Sequence, residues 1–356
     1  MPETPLTLAF VGFRHGHVMG IYSAARSHDA VRVVAAAEDH PESIATLKRE
    51  ATVELTHTDW REVIDRVPCD AIAVGDYFAR RGELIIAALR AGKHVISDKP
   101  ICTRRDQLDE IEQLAREKSR VVSAQLDLRD SGAFITARKL IRDGAIGEVL
   151  TINFTAQHPL FLDRRPKWYF EPGKQGGTIN DIAIHATDLI PWMTGRQLTE
   201  IVAARAWNAR LPQFPHFQDA AQFMLKLDNG GGVFGDVSYL APDGIGYNAP
   251  QYWRVTCHGT AGVLEMKYGA KSVELVRSTD SSVQSIAAEP DVEAGRLHGF
   301  LRELNGDQRD EDLTTSDVIT ATRCALMMQE AADEQKPSIR LPPSHRYAGE
   351  RDGEKG

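Results

Sequence analysis

The chain has 356 residues, 42% of them apolar and 26% charged, so its length predicts roughly two domains and its balance is that of a globular protein. No apolar run approaches the ~18 residues of a membrane span, and the N-terminus has no basic segment leading into an apolar one, so membrane and secreted classes are set aside and a cytoplasmic protein is expected. The formal net charge of −8 argues against a nucleic-acid binder driven by phosphate contacts, and the four scattered cysteines (Cys69, Cys102, Cys257, Cys324) have no metal-type spacing and read as reduced thiols.

Residues 6–11 form a short apolar run ended by Gly12, which predicts a buried strand. Gly12-Phe13-Arg14-His15-Gly16-His17 follows, then an amphipathic stretch to about Ser27, then a second strand over 31–37 with Glu38-Asp39 at its end. Strand, glycine turn, helix, strand and acid, with the acid 26 residues after Gly12, is the plan of a dinucleotide-binding unit. In that plan a pyrophosphate sits against free N–H groups at the helix start and the acid receives the ribose hydroxyls. Arg14 and His17 occupy positions where such a loop usually has glycine, so Arg14 must point away or meet phosphate through its guanidinium.

The alternation continues with a helix over 41–51, a short strand near 54–55, a helix over 60–66 and a strand over 70–75. A loop at Asp76-Tyr77-Phe78 leads to a helix over 83–91 closed by Gly92, a strand at 95–97, a helix over 103–118 and a strand over 120–126. Such alternation implies a parallel sheet with helices on both faces, and places Gly12, Glu38, Gly75 and Lys99 at the carboxyl ends of strands, where ligands bind. After about residue 128 the pattern becomes a helix over 133–143 and then strand candidates at 148–156, 200–208, 220–228, 232–240, 252–258, 262–266 and 272–277, with helices over 297–305 and 316–334. The expected fold is therefore a Rossmann-type doubly wound α/β domain, residues 1–127, followed by an α+β domain with a large, mainly antiparallel sheet, residues 128–343, and a flexible polar tail at 344–356.

Two stretches carry chemistry. Ser97-Asp98-Lys99-Pro100 follows a strand, and a lysine there can serve as acid or base once partly desolvated. Gly176-Gly177 leads into Asp181 and His185, which share one face if the segment is helical, with Asp188 a turn further on. Asp181 equally suits a helix start, and His185 among isoleucines and alanines equally suits a hydrogen-bonded core. No third ligand stands at metal spacing, so no metal is expected. The insertion from His158 to Phe170 is expected to form a substrate wall or a buried aromatic plug, Asp127 and Arg129 are weaker cleft candidates, and Asp307, Asp310, Glu311 and Asp312 read as a solvated loop.

Taken together, the Gly12 loop, Glu38, Ala91-Gly92-Lys93-His94-Val95-Ile96-Ser97-Asp98-Lys99-Pro100, Asp143-Gly144-Ala145-Ile146-Gly147-Glu148-Val149 and Gly176-Gly177 with Asp181-x-x-x-His185-x-x-Asp188 resemble the glucose–fructose oxidoreductase/inositol dehydrogenase (Gfo/Idh/MocA) family, from Leu6 to about Leu341. Asp98 stands where the family usually has Glu, and Gly75 to Arg81 lacks the family's usual Thr-Pro-Asn. The resemblance implies an NAD(P)-dependent oxidoreductase acting on a sugar, inositol or related polyol, with Lys99, Asp181 and His185 catalytic and also binding substrate beside His158 and Trp168. It implies a cofactor held by Gly12, Phe13, Arg14, His15, Glu38, Gly75, Asp76, Asp98 and Lys99. Glu38 and Asp39 favour NAD, whereas Arg14 leaves NADP open. A homodimer or homotetramer through the second-domain sheet is expected, with no nucleic-acid or membrane partner. Two other readings stand beside this one: elimination or glycosidic cleavage through transient oxidation, and a nucleotide-binding sensor without catalysis.

Overall fold

The computed structural model describes residues 4–343; the tail expected from residue 344 lies outside the described residues. The chain divides into two compact units. The first runs as far as Gln125 and also takes in Pro166–Gly176 and Ala294–Ile319, so it is not contiguous in sequence. The second comprises Leu126–Arg165, Gly177–Glu293 and the residues from Thr320 onward.

In the first unit β1 (Leu6–Val11), α1 (Val18–Ser27), β2 (Val31–Ala37), α2 (Pro41–Glu50), α3 (Trp60–Arg66), β3 (Ala71–Val74), α4 (Phe78–Arg90), β4 (His94–Ser97), α5 (Arg105–Glu117) and β5 (Val122–Ala124) alternate as expected. The five strands form one parallel sheet in the order β2-β1-β3-β4-β5. Their runs are apolar on both faces, Ala71–Val74 being buried throughout, because helices cover both sides. The chain order reverses between β1 and β3, and Gly12 and Gly75 stand at the carboxyl ends of those two strands.

The strand expected near 54–55 does not form. Thr56 Oγ1 instead accepts from the Ala36 amide at 3.0 Å, and only an isolated bridge between Ala37 and His57 remains. A side chain has taken the hydrogen bond that a ladder would have used. Helix α4 starts at Phe78, five residues before the position expected from periodicity, and so brings Arg80 and Arg81 into its first turn. Asp312, read as part of a solvated acidic loop, is buried: it receives Arg302 Nε at 2.7 Å and the Arg309 amide at 2.9 Å.

The second unit holds α6 (Gly132–Arg142), β6 (Val149–Pro159), a π-helical turn (Ile179–Ala183), α7 (Ile184–Thr194), β7 (Leu198–Trp207), β8 (Ala220–Leu227), β9 (Gly232–Ala241), β10 (Arg254–Gly259), β11 (Gly262–Lys267), β12 (Ser272–Arg277) and β13 (Gln284–Ala287). Beyond α8 (Gly295–Leu304) and α9 (Thr315–Asp333), the short β14 (Ile339–Arg340) closes one edge of its sheet. The sheet has nine strands in the order β13-β12-β11-β10-β6-β9-β8-β7-β14, antiparallel except for the β6–β9 pair. Residues along β8 alternate, with Phe223, Leu225 and Leu227 buried and Gln222, Met224 and Lys226 exposed, the pattern of a sheet with one covered face.

Candidate active site

In the first unit the glycine loop is fixed by backbone. Gly12 N–H donates to Ala37 O at 2.9 Å, Gly75 N–H to Val11 O at 3.1 Å and His15 N–H to Gly75 O at 3.2 Å. Gly12 sits at φ +80°, and a Cβ there would come 2.8 Å from Asp76; a Cβ on Gly75 would lie 2.4 Å from that of Val18. Both positions therefore require glycine, one for conformation and one for the close approach of α1. No side chain caps the start of α1. The Met19 and Gly20 amides turn back onto the Gly16 and His17 carbonyls at 3.1 and 3.0 Å, so it is the loop, without side-chain bulk at Gly12 and Gly16, together with the start of α1 that suits a pyrophosphate.

Glu38 is turned into the protein. Its two carboxylate oxygens accept from the Phe13 amide at 2.6 Å and the His40 amide at 2.8 Å, so it ties the loop to the end of β2. Arg14, the residue in place of a glycine, folds away from the loop. Its guanidinium pairs with Asp39, lies 3.5 Å from Glu38 and 3.3 Å from Asp76, and faces the Tyr77 ring. Arg80 completes the cluster, 2.5 Å from Asp39 and 3.0 Å from Asp76. Partial burial would raise the Asp39 carboxyl, but the Arg80 and Arg14 guanidiniums hold it below its ordinary value. At Asp76 burial wins over the same two arginines and its carboxyl is pushed up.

The Asp98-Lys99 segment is built around Arg81, which is fully buried. Arg81 donates to the carbonyls of Asp76 at 2.7 Å and Lys99 at 2.5 Å, and to the Asp98 carboxylate at 2.7 Å. Asp98 also pairs with His15 Nδ1 and faces His17 Nδ1 at 3.4 Å. Burial alone would raise the Asp98 carboxyl, but Arg81 and the two imidazoles hold it well below the usual carboxylate range. Burial lowers His15 to about 4, so its ring is neutral near pH 7. Nδ1–H then donates to Asp98, and Nε2 accepts from the Tyr169 hydroxyl at 2.9 Å. His15, His17 and Asp98 bring three potential ligand atoms within 4.8 Å of one another. Arg81 and His15 both stand on Asp98 Oδ2 while His17 faces Oδ1, and the cluster reads as an ion-pair network. Lys99, 5% exposed, is buried beside it. Trp168, expected on a substrate wall, belongs to the first unit, where its indole donates to the Arg14 carbonyl at 3.1 Å and stacks on Tyr169.

In the second unit Asp181 lies in the π-helical turn and His185 in the first turn of α7, each 3% exposed. The expected single helix is thus two segments, and a π-turn of this kind re-aims the side chains it carries. Asp181 accepts from the Tyr239 hydroxyl, which β9 supplies. The His185 ring packs edge-on against Trp253 at 4.6 Å, and His158 meets the same indole at 4.7 Å. Trp253 has φ +46°, a region bulky residues rarely occupy, so the backbone is held there by its surroundings. Tyr252 and Tyr247 continue the aromatic wall around His158. Asp188, the third residue of the motif, is instead bound by Arg129 Nε at 3.0 Å, a buried ion pair.

Of the residues singled out from sequence, Gly12, Phe13, Arg14, His15, Glu38, Gly75, Asp76, Asp98 and Lys99 are gathered in the first unit, and His158, Asp181 and His185 in the second. Tyr239 and Trp253 were not found from sequence, and Arg81 and Tyr169 were marked only as parts of the Gly75–Arg81 loop and the His158–Phe170 insertion. No spacing marks them, since each acts on a residue at least 17 positions away.

An oxidoreductase family with an NAD-binding Rossmann fold matches residues 6–126, and the Gfo/Idh/MocA C-terminal domain matches residues 134–265. The chain belongs to the Gfo/Idh/MocA family and carries its NAD-binding Rossmann domain. It is 27% identical to a levoglucosan dehydrogenase of Pseudarthrobacter phenanthrenivorans over 204 residues, 56% of this chain and 52% of that protein. It is 25% identical to inositol 2-dehydrogenase 2 of Saccharopolyspora erythraea over 217 residues, 60% of this chain and 61% of that one. The matches thus span little more than half the length of these relatives. In fold it resembles a solved levoglucosan dehydrogenase in complex with NADH and L-sorbose, with a TM-score of 0.78, 18% identity, and 95% and 99% of the two chains covered. Among the described residues no helix is long and apolar enough to cross a membrane.

Proposed function

We propose that the protein is a cytoplasmic NAD-dependent dehydrogenase that interconverts a CH–OH group and a carbonyl on a sugar, inositol or related polyol. The observation that carries the reading is the pairing of buried Asp181 and His185 with Tyr239 and Trp253, in a chain whose first unit has the family's NAD-binding domain. NAD supplies the hydride acceptor when bound. Making a carbonyl from an alcohol also releases the hydroxyl proton, which the protein must take. In the second unit His185 is assigned as the base and Asp181, held by Tyr239, as the group that orients His185 or binds a neighbouring substrate hydroxyl; in the first unit Lys99 is assigned a proton-handling role. His158 and its aromatic neighbours offer faces suited to the C–H side of a sugar ring.

The test is a panel of sugars, inositols, anhydrosugars and sugar acids with NAD, followed by NADH absorbance. NADH accumulating with one compound supports the reading. Product without net NADH would instead make the reaction an elimination or cleavage through transient oxidation. Cofactor binding without turnover on any compound would favour a sensor.

A homodimer or homotetramer through the outer face of the nine-stranded sheet belongs to the same proposal. Val202, Met224 and Phe234 are each 41–48% exposed there, and Met224 and Phe234 are direct cross-strand neighbours. The four cysteines are buried thiols, consistent with a reducing compartment.

A further inference from the structure

In the second unit the aromatic rings do not stop at the assigned base. From His185 the ring centroids step to Trp253 at 4.6 Å, from Trp253 to Tyr252 at 5.6 Å and from Tyr252 to Tyr247 at 5.1 Å. Exposure rises along the same path: Trp253 is buried, Tyr252 half-buried and Tyr247 48% exposed. Tyr268, 40% exposed, meets Tyr252 edge-on at 6.0 Å and broadens the outer end. A six-membered ring stacks on one aromatic face at a time, so a single sugar or inositol ring beside His185 and Trp253 leaves the tyrosines uncovered.

The outer end is built rather than loose. Tyr247 is carried by the turn segment Asp243–Asn248, whose Asp243 accepts from the Phe161 amide at 2.9 Å, and the Phe161 ring lies 5.7 Å from that of Tyr247. Phe161 has φ +52° and Trp253 φ +46°. Two bulky residues held in the left-handed region within one ring system mark a place that the surrounding structure over-determines. Burial, with Tyr247 and Asp127 close by, pushes the Tyr252 phenol up. Partial burial and the Asp127, Asp291 and Asp130 carboxylates do the same for Tyr268, so both phenols keep their protons and can donate. Faces to stack on, with phenols and carboxylates at their rim, suit a neutral ring that is hydroxylated or aromatic.

Given the dehydrogenase reading above, we propose that Tyr247, Tyr252 and Tyr268 form a second-ring subsite and that the substrate is a glycoside. One sugar ring lies beside His185 and Trp253, and a neutral second ring, a sugar or an aromatic aglycone, lies on the tyrosines. A free monosaccharide or inositol fills only the inner part.

The experiment measures kcat/KM with NAD, by NADH absorbance, for free glucose, galactose and xylose, for their methyl and phenyl glycosides in both anomers, and for myo-inositol. The proteins are wild type, Tyr247→Ala and Tyr247→Phe. For the sugar that wild type accepts, the phenyl glycoside is expected to exceed the methyl glycoside by about tenfold or more, mainly through KM. Tyr247→Ala should reduce that ratio to about threefold or less, and Tyr247→Phe, which keeps the ring, should hold it within about twofold of wild type. A wild type that uses a free sugar, myo-inositol or a methyl glycoside as well as any phenyl glycoside would overturn the subsite, and that result needs no variant to fold. So would a ratio unmoved in Tyr247→Ala or lost equally in Tyr247→Phe. A smaller particle in Tyr247→Ala by light scattering would make the tyrosines a contact between subunits, which also overturns it. No NADH with any compound removes the dehydrogenase reading and the subsite with it, whereas turnover without preference for a second ring leaves the dehydrogenase and removes the subsite alone.

Discussion

Around the glycine loop of the first unit the acids are answered by guanidiniums, imidazoles or backbone amides: Asp98 by Arg81 and two histidines, Asp39 and Asp76 by Arg14 and Arg80, Glu38 by two amides. Around Asp181 in the second unit the Tyr239 hydroxyl donates to the acid, and His185 and His158 meet indole and phenol rings. The first arrangement suits a ligand that is itself an anion and must be placed by fixed charges. The second leaves an acid and an imidazole beside aromatic faces, which suits a neutral polyhydroxyl ligand and a proton that has to move.

The largest effect that would sharpen this contrast comes from Lys99→Ala. Turnover is expected to fall about 10³-fold or more, while NADH binding, read by fluorescence, changes only a few-fold. Full activity in that variant would break the assignment of the proton-handling group.

Arg81→Met tests whether charge in the first unit is structural. It leaves the buried Asp98 facing only the histidines, so stability should drop by about 3–5 kcal/mol in denaturant titration. A change under about 1 kcal/mol would show that the network around Asp98 is incidental.

The same network predicts acid lability. The ordinary histidine value is 6.5, and His15 in the folded protein is lowered to about 4. The unfolded chain therefore binds the proton first as pH falls, and the folded state loses stability between those two values, on the order of 3 kcal/mol in all. Asp98, whose carboxyl is also lowered, adds a loss at still lower pH. Thermal unfolding followed from pH 7 to pH 4 should show the slope in wild type and a shallower one in His15→Asn. Parallel curves for the two proteins would remove His15 as its source.

Tyr239→Phe probes the second unit more gently. Losing the hydroxyl that holds Asp181 should cost about tenfold in kcat and displace the acid limb of the kcat–pH profile, with KM for NAD unchanged. A lower kcat with an unmoved pH profile would make Tyr239 a packing residue only. The smallest expected change in chemistry belongs to Phe234→Asp on the outer sheet face, which should convert an oligomer to a smaller species by light scattering with little effect on the folded subunit. An unchanged mass would place any interface elsewhere.

By itself the sequence determined the succession of elements, because apolar runs of period two and 3.6 and the glycines that end them are local properties of the chain. It marked Gly12, Glu38, Lys99, Asp181 and His185 because strand ends and four-residue spacings are also local. The tertiary structure decided what each of these residues faces. Glu38 turned inward onto backbone amides, Asp188 was taken by Arg129, and Trp168 joined the glycine-loop unit across more than 150 residues of chain. Asp312 became a buried partner of Arg302, and the expected strand near residue 54 gave way to a threonine hydroxyl. Tyr239, Trp253 and Arg81 acquired their roles only when β9, the start of β10 and α4 were folded against distant segments. The physical reason is that a buried charge or hydroxyl must find a partner wherever the packed chain offers one, and that partner has no fixed distance in sequence.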